Sequence, residues 1–184
     1  MDIEGYELHQ AVPEEKELIE GILKQAALFI KSKGSKQWNG ILEPEKGKDN
    51  HDTAGAIKRG EVYFATINEE PAGMFLLWDH QSEWDRTLWS PNSSHDYMYL
   101  HRLAIMRKYA GQGISQRLIQ SAIETAQYRE KKAVRLDCIA TKEYLNLLYQ
   151  SAGFKLVGKK ENHDAGEQIA DFNLYQYDFD ERIS

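Results

Sequence analysis

Residues 97–119 read YMYLHRLAIMRKYAGQGISQRLI, and this stretch decides the fold. Its first nine residues, 97–105, are mostly apolar and aromatic and predict a strand. A glycine-bearing segment, 107–115, follows and leads directly into apolar residues at helical spacing. The start of a helix exposes unpaired backbone N–H groups and the positive end of the helix dipole, which together attract phosphate. The stretch therefore predicts an anion site where a strand, a loop and a helix meet.

The glycine pattern of this loop can be compared with the known nucleotide-binding motifs. Gly111 and Gly113 let the backbone approach a ligand because no Cβ stands in the way, although a simple structural turn needs glycines too. The loop lacks the Gly-Lys-Ser/Thr ending of a Walker-type phosphate loop and the third glycine of the dinucleotide fingerprint. Neither known nucleotide motif fits.

Outward from this stretch, the hydrophobic pattern alternates between strands and helices. The predicted strands are 6–12, 61–67, 72–78, 97–105, 133–140, 154–158 and 171–179. Helices are predicted from Pro13 to Gly34, after the Asp52 cap as far as Arg59, after Ser115, and over 143–152, with polar loops at 34–52 and 79–96. This order predicts a single α/β domain over residues 1–184, with a mixed, mostly antiparallel sheet of about seven strands and helices on both faces.

Composition excludes several classes of protein. The 184 residues are 41% hydrophobic and 28% charged, which is ordinary for a soluble globular domain. A net charge of −6 without a basic cluster argues against a nucleic-acid partner. The apolar runs are too short to span a membrane. One cysteine excludes an intrachain disulfide and, without an apolar signal segment at the start, predicts a cytoplasmic location.

Two motifs carry a resemblance to a known family. The segment LAIMRKYAGQGISQRLI resembles the coenzyme A pyrophosphate loop of the GNAT superfamily of N-acetyltransferases. The segment RLDCIATKEYLNLLYQSAGF resembles the strand–helix unit of that family that ends in Tyr-x-x-x-Gly-Phe, here Tyr149, Gly153 and Phe154. The order of elements is similar over almost the whole chain. The resemblance implies an acyltransferase that moves an acetyl group from acetyl-CoA to a primary amine by direct attack in a ternary complex.

The resemblance also implies which residues bind the cofactor. The strand backbone that grips the pantetheine arm falls on Leu103, Ala104 and Ile105. The pyrophosphate loop falls on six consecutive residues: Ala110, Gly111, Gln112, Gly113, Ile114 and Ser115. Ala110 stands where the family has Arg or Gln, so Arg107 or Lys108 is expected to supply the charge. Lys142 occupies a position where many relatives have Asn at the cofactor.

The family's catalytic acid, which protonates the departing thiolate, corresponds to Tyr149. A core tyrosine on an amphipathic helix is the alternative for this residue, and Tyr144 is the fallback acid. His101 is a candidate general base because it lies two residues before Leu103, on the same face of the strand, and histidine titrates near neutral pH. A strand histidine that only packs is the alternative, and the other candidates for the base are ordered water, Asp79, Asp96 and Glu83.

The acceptor pocket is expected at the polar loops 34–52 and 79–96. The second loop is acidic and carries tryptophans, and such groups favour a small cationic amine or a peptide amine. The candidate substrate residues are Trp38, Trp84 and Asp79. The histidines lack ligand spacing, so no metal is expected, and Cys138 is expected to be a buried apolar residue.

Two other interpretations stay open. A catalytically idle acyl-CoA-binding module would have the same fold and loop. An unrelated protein with a phosphate ligand would share the loop alone. A homodimer is a common arrangement for such proteins, and the sequence does not exclude one.

Overall fold

The protein is described by a computed structural model covering residues 2–34, 38, 52–166 and 168–179. The strands are β1 Tyr6–Gln10, β2 Val62–Ile67, β3 Glu70–Trp78, β4 Tyr97–Ile105, β5 Ala133–Ile139, β6 Lys155–Asp164 and β7 Ile169–Asp178. The helices in the described residues are α1 Lys16–Ser32, α2 Thr53–Lys58, α3 Glu83–Leu88, α4 Ile114–Tyr128 and α5 Glu143–Ser151. None of these helices has both the length and the apolar character needed to cross a membrane.

The strands form one open sheet in the order β1-β2-β3-β4-β5-β7-β6. The pairs β1–β2, β2–β3 and β5–β7 are antiparallel, and β4–β5 is parallel. The parallel pair is possible because α4 provides the long crossover that returns the chain between β4 and β5. The sheet is mixed and mostly antiparallel, which confirms the predicted α/β fold class.

The polar loop predicted over 79–96 contains a helix, so that part of the prediction is wrong. The Asp85 backbone N–H donates to the Ser82 hydroxyl, and the Ser82 backbone N–H donates to the Asp85 carboxylate at 3.0 Å. This reciprocal capping box satisfies two backbone donors at the start of α3. The Ser-x-x-Asp pattern was visible in the sequence and is the signal that was missed. The cap of α2 is confirmed, since Gly55 N–H donates to the Asp52 carboxylate at 2.9 Å.

Contacts between Cα atoms divide the chain into two units. Unit 1 comprises Met1–Leu76, Arg102–Leu118 and Asp164–Ile169, and unit 2 comprises Leu77–His101, Ile119–His163 and Ala170–Ser184. The prediction of one domain over residues 1–184 stays a prediction.

In unit 1, Gly73 allows two backbones to come unusually close. A Cβ on Gly73 would stand 2.6 Å from the Ala104 carbonyl oxygen and 2.7 Å from a methyl group of Leu118. Nearby, the Met106 backbone N–H donates to the Ala72 carbonyl oxygen at 2.8 Å. These contacts hold the chain that leads into the glycine loop against β3.

In unit 2, β5 has two partners of unequal extent. It pairs with β7 along its whole length, but with β4 through three positions only, from Tyr97–Ala133 to Tyr99–Arg135. The second half of β5, which carries Asp137, is therefore hydrogen-bonded on the β7 side alone among the described residues.

A buried amide fixes α5 to this strand. The Asn146 side chain donates to the Ile139 carbonyl oxygen at 3.1 Å and accepts from the Tyr175 hydroxyl at 2.6 Å. Because the amide is buried and fully engaged, removing it would leave unpaired polar groups in the core. The network fixes the position of the helix that carries Tyr149.

Candidate active site

The glycine loop of unit 1 has the geometry of an anion site. The first helical hydrogen bond of α4 runs from Arg117 N–H to the Gly113 carbonyl oxygen at 3.1 Å, so the preceding N–H groups have no partner within the helix. Gly111 and Gly113 have φ of 75° and 80°, the left-handed region that glycine adopts without strain. A Cβ on Gly111 would meet nothing within 4 Å, so the space beside the loop is open.

The two cations expected to supply charge to this loop both have other partners in unit 1. Lys108 forms an ion pair with Glu70, and this hydrogen bond raises the pKa of Lys108. The guanidinium carbon of Arg107 lies 3.6 Å from the centre of the Phe29 ring. Within the loop, the N–H groups of Ala110 and Gln112 donate to the carbonyl oxygens of Arg107 and Tyr109, so an anion would be bound by the other main-chain donors at the start of α4.

In unit 2, His101 is held by a buried carboxylate. Its Nε2 lies 3.1 Å from Asp85 Oδ1 and 3.2 Å from Oδ2, and the side chains of His101 and Asp85 are 13% and 1% exposed. Burial alone would raise the pKa of Asp85, but the charge of His101 and hydrogen bonds from Ser82 outweigh it and lower the pKa below its ordinary value. Since an ionised carboxylate only accepts, Nε2 carries the proton and Nδ1 is the basic nitrogen.

A second carboxylate lies beside this pair. The Trp84 indole N–H donates to Asp137 Oδ1 at 3.0 Å, and metal-ligand-type atoms of Asp85, His101 and Asp137 all lie within 4.8 Å of one another. The Trp78 ring packs over His101 with centroids 4.3 Å apart. We call Trp84, Asp85, His101 and Asp137 the His101 cluster. Sequence reasoning nominated His101 and Trp84 and counted Asp85 only among the acidic residues of the 79–96 loop. It missed Asp137, although a lone Asp inside the apolar strand AVRLDCIA was a signal for it.

Tyr149 lies near the same carboxylate. Burial raises its pKa well above the ordinary value, and the neighbouring Cys138 and Asp137 act in the same direction. Its ring also contacts those of Phe154 and Tyr175, with centroids 6.2 and 6.3 Å apart. Tyr149 thus has the packing of a core tyrosine and holds its proton throughout the neutral pH range.

The candidate acceptor residues have different surroundings. Asp79 lies 3.6 Å from an Arg129 nitrogen and 3.9 Å from Lys131 Nζ. Burial acts to raise the pKa of Asp79, but hydrogen bonding to His80 and the nearby cations outweigh it and lower the pKa. Trp84 belongs to the His101 cluster, and Trp38 is half-buried. The charge of Asp79 is therefore balanced by protein side chains.

Two further residues, Cys138 and Trp89, are buried. Cys138 is buried, as predicted, and burial raises the pKa of its thiol to about 12, which makes it a poor nucleophile near neutral pH. Trp89 is buried, and the guanidinium carbon of Arg135 lies 4.6 Å from the centre of its ring. This contact fixes the chain after α3.

Comparisons with known proteins identify the family of this chain. Residues 30–173 match the family described as "Acetyltransferase (GNAT) domain". The uncharacterized N-acetyltransferase YesJ of Bacillus subtilis (strain 168) is 39% identical over 155 residues, which is 84% of each chain. A GNAT-family acetyltransferase from Listeria monocytogenes 4b F2365 has a TM-score of 0.76 and 30% identity, with 95% of each chain covered.

A more distant solved structure shows the fold. The Salmonella typhimurium protein yncA, whose structure contains acetyl-CoA, has a TM-score of 0.67 and 15% identity, with 98% of this chain and 97% of its own covered. The match over residues 30–173 and the 39% identity to YesJ confirm the resemblance carried by the two sequence motifs. The chain therefore belongs to the GNAT family of acetyltransferases.

Proposed function

We propose that the protein transfers the acetyl group of acetyl-CoA to a primary amine by direct attack in a ternary complex. Membership of the family supports the transfer. Two proteins of the same fold, yncA and the PaiA N-acetyltransferase of Thermoplasma acidophilum, were solved with acetyl-CoA and with coenzyme A. An amine acceptor is supported by the naming of YesJ as an N-acetyltransferase.

Two segments would hold the donor. Main-chain groups of Leu103, Ala104 and Ile105 bind the pantetheine arm, and residues 110–115 bind the pyrophosphate. The open space beside Gly111 and the left-handed backbone at both loop glycines fit a bulky anion. When bound, acetyl-CoA supplies the acetyl group as an activated thioester.

The buried Asp85–His101 pair is the observation that carries the proposal. An alkylamine has a pKa near that of lysine, about 10.4, so it must lose a proton before it can attack. His101 Nδ1 accepts that proton directly or through one water, and Asp85 stabilises the resulting imidazolium. The carboxylate also fixes the tautomer, as an orienting group does in other acid–base sites.

Tyr149 is the proposed acid. The leaving thiolate departs more readily when it receives a proton, and a donor must hold its own proton until that moment. A phenol is protonated near pH 7 even at its ordinary pKa, and the raised pKa of Tyr149 makes it a weaker proton donor, so the transfer depends on a basic thiolate that forms beside the hydroxyl group. The attacking nitrogen gives up two protons in each turnover, one to His101 before the attack and one to water as the amide forms, while Tyr149 gives one to the thiolate. Exchange with solvent restores both residues and leaves one net proton released.

An idle acyl-CoA-binding module is the second candidate. Its weakness is the Asp85–His101 pair, because buried ion pairs are seldom better for stability than apolar residues of the same size. A module that only binds has no use for such a pair. Family membership leaves no support for the unrelated phosphate-ligand protein.

A thiol-release assay with a panel of amines tests the proposal. We expect release of coenzyme A that depends on both acetyl-CoA and an amine, with the acetylated amine detected by mass spectrometry. Tight binding of acetyl-CoA with no thiol release for any amine of the panel would favour the idle module. The predicted cytoplasmic location and the homodimer stay parts of this proposal, and the buried free thiol of Cys138 suits a reducing compartment.

A further inference from the structure

Asp137 is the carboxyl group of the His101 cluster that has no cationic partner within it, and its raised pKa means that burial favours the protonated, neutral form until a cation binds beside it. Asp85 is paired with His101, whereas the hydrogen-bond donor to Asp137 in the described part of the chain is the neutral Trp84 indole. Buried carboxylates are normally paired with a cation, because an unpaired charge loses its hydration without compensation. With His101 neutral, as a base requires, the cluster offers an ionised Asp137 no cation, and the ammonium group of a ligand would supply one.

Asp137 is also open enough to accept a ligand. Its residue is half-buried, in contrast to the fully buried Asp85. Burial nevertheless raises the pKa of Asp137. The charge of His101 and the hydrogen bond from Trp84 oppose this rise, and the charge of Asp85 adds to it. Asp137 thus keeps part of its surface exposed, while its carboxyl group is enclosed closely enough for burial to raise its pKa.

We propose that Asp137 binds the ammonium group of the acceptor amine and presents it to His101. The inference rests on the proposed function and identifies the residue that selects the substrate. An ammonium donates to a carboxylate at about 2.8 Å. Because ligand-type atoms of Asp137 and His101 lie within 4.8 Å of each other, an ammonium group held by Asp137 would lie beside the imidazole ring, and one water would carry its proton to Nδ1.

This assignment changes the roles of two residues. Trp84 fixes the Asp137 carboxylate through its indole N–H, so it positions the recognition group. Asp79 is a weaker candidate for ammonium binding, because Arg129 and Lys131 already balance its charge. The acceptor class that follows is an amine carrying a positive charge at the reacting nitrogen.

The test compares Asp137→Asn with the wild type on two amines of similar shape. Benzylamine is protonated near pH 7 and aniline is not. Asn keeps the volume of Asp and still accepts the Trp84 N–H, so folding and the KM for acetyl-CoA should persist. We expect the KM for benzylamine to rise about 10- to 100-fold, the loss of one charge-assisted hydrogen bond, and the KM for aniline to stay unchanged.

Controls separate recognition from general damage. Asp178→Asn removes an exposed carboxylate at the end of β7 and should leave both KM values unchanged. Asp137→Glu keeps the charge and should restore part of the preference for benzylamine. Calorimetry with the same amines in the presence of coenzyme A gives the binding preference even if turnover fails, so loss of the proposed function and loss of this inference are distinguishable.

Three outcomes would overturn the inference. The first is that Asp137→Asn and the wild type have the same ratio of the KM for benzylamine to the KM for aniline. The second is that the wild type binds no charged amine. The third is tight Zn²⁺ binding that Asp137→Asn abolishes while the benzylamine KM stays the same. That result would assign the unmatched charge to a metal ion.

Discussion

At the scale of single residues, Tyr149 combines structural packing with a chemical property. Its ring lies between Phe154 and Tyr175, and the same burial that gives these contacts raises its pKa. A weak acid is slow to release its proton in the resting enzyme but can donate it to a thiolate that forms beside it. Burial therefore holds the proton on Tyr149 and weakens its acidity at the same time, and a substitution must keep the ring in order to test the hydroxyl group alone.

Tyr149→Phe makes this separation. The change removes one hydroxyl group and little volume, so the unfolding midpoint should shift little. We expect acetyl-CoA binding to persist and turnover to fall about 10- to 1,000-fold, as for the loss of one general acid. Calorimetry and steady-state kinetics measure the two effects.

Tyr128→Phe is the matched control, because Tyr128 is 89% exposed on α4 and should leave turnover unchanged. Equal turnover of Tyr149→Phe and wild type, with the chemical step shown to limit the rate, would remove Tyr149 from the mechanism. A loss in Tyr144→Phe instead would assign the acid role to Tyr144.

Residue roles were predictable only where they depend on local pattern. The period-two alternation of β4 nominated His101, but its partners Asp85 and Asp137 lie on α3 and β5. Their approach depends on the order of strands in the sheet, which a single strand pattern does not contain. Trp84 was expected as an aromatic wall, whereas its polar N–H determines its contact with Asp137.

At the scale of elements, strong periodicity predicted the strands and the long helices, and weak signals produced the errors. α3 is six residues long, which is too short for an amphipathic stripe. In the sequence, its capping box is the signal that indicates a helix. β6 runs to Asp164, whereas the predicted strand ended at 158. The second half of β6 is mostly polar and exposed and lacks apolar alternation, so the sequence pattern did not reveal it. An edge strand in this sheet needs apolar residues on few positions, so its composition resembles that of a loop.

The glycine loop and the start of α4 give a prediction for this element. Gly113→Asp adds a side chain and a negative charge where the helix start is proposed to meet pyrophosphate. We expect the Kd for coenzyme A to rise about 10- to 100-fold, because the new carboxylate repels the pyrophosphate and a charge-assisted hydrogen bond is lost. Calorimetry measures the affinity, and circular dichroism checks that the variant is folded.

Gly166→Asp is the control for backbone strain. Gly166 also has a left-handed backbone, with φ of 89°, and a Cβ there would meet nothing within 4 Å. Both variants therefore add a negative charge at a left-handed backbone position, one at the start of α4 and the other away from it. If both bind coenzyme A like the wild type, the loop does not hold the pyrophosphate.

At the scale of the whole molecule, the two carboxylates of the His101 cluster affect stability in opposite directions. The folded pKa of Asp85 is lowered from its ordinary 3.8, so the folded state keeps this carboxylate ionised more readily than the unfolded chain does. Its contribution is present above pH 3.8 and is lost as the pH falls through the folded value. The folded pKa of Asp137 is raised, mainly by burial, so its ionisation costs stability as the pH rises from 3.8 through the folded value.

Urea unfolding followed by tryptophan fluorescence from about pH 3 to pH 7 tests these signs. Asp137→Asn should be more stable than the wild type near pH 7, because the variant lacks a carboxylate whose ionisation burial opposes. This advantage should shrink on acidification as the wild-type carboxyl takes up its proton. Asp85→Asn should be less stable near pH 7, and its deficit should shrink only below about pH 4, where the unfolded wild-type chain binds the proton first. Each difference curve reports one carboxylate together with its coupling to the other groups of the His101 cluster, and the sign near pH 7 is the quantity compared. Two difference curves with the same sign near pH 7 would mean that Asp137 is paired in the folded protein, and the charge that we assign to the acceptor's ammonium would then already be matched.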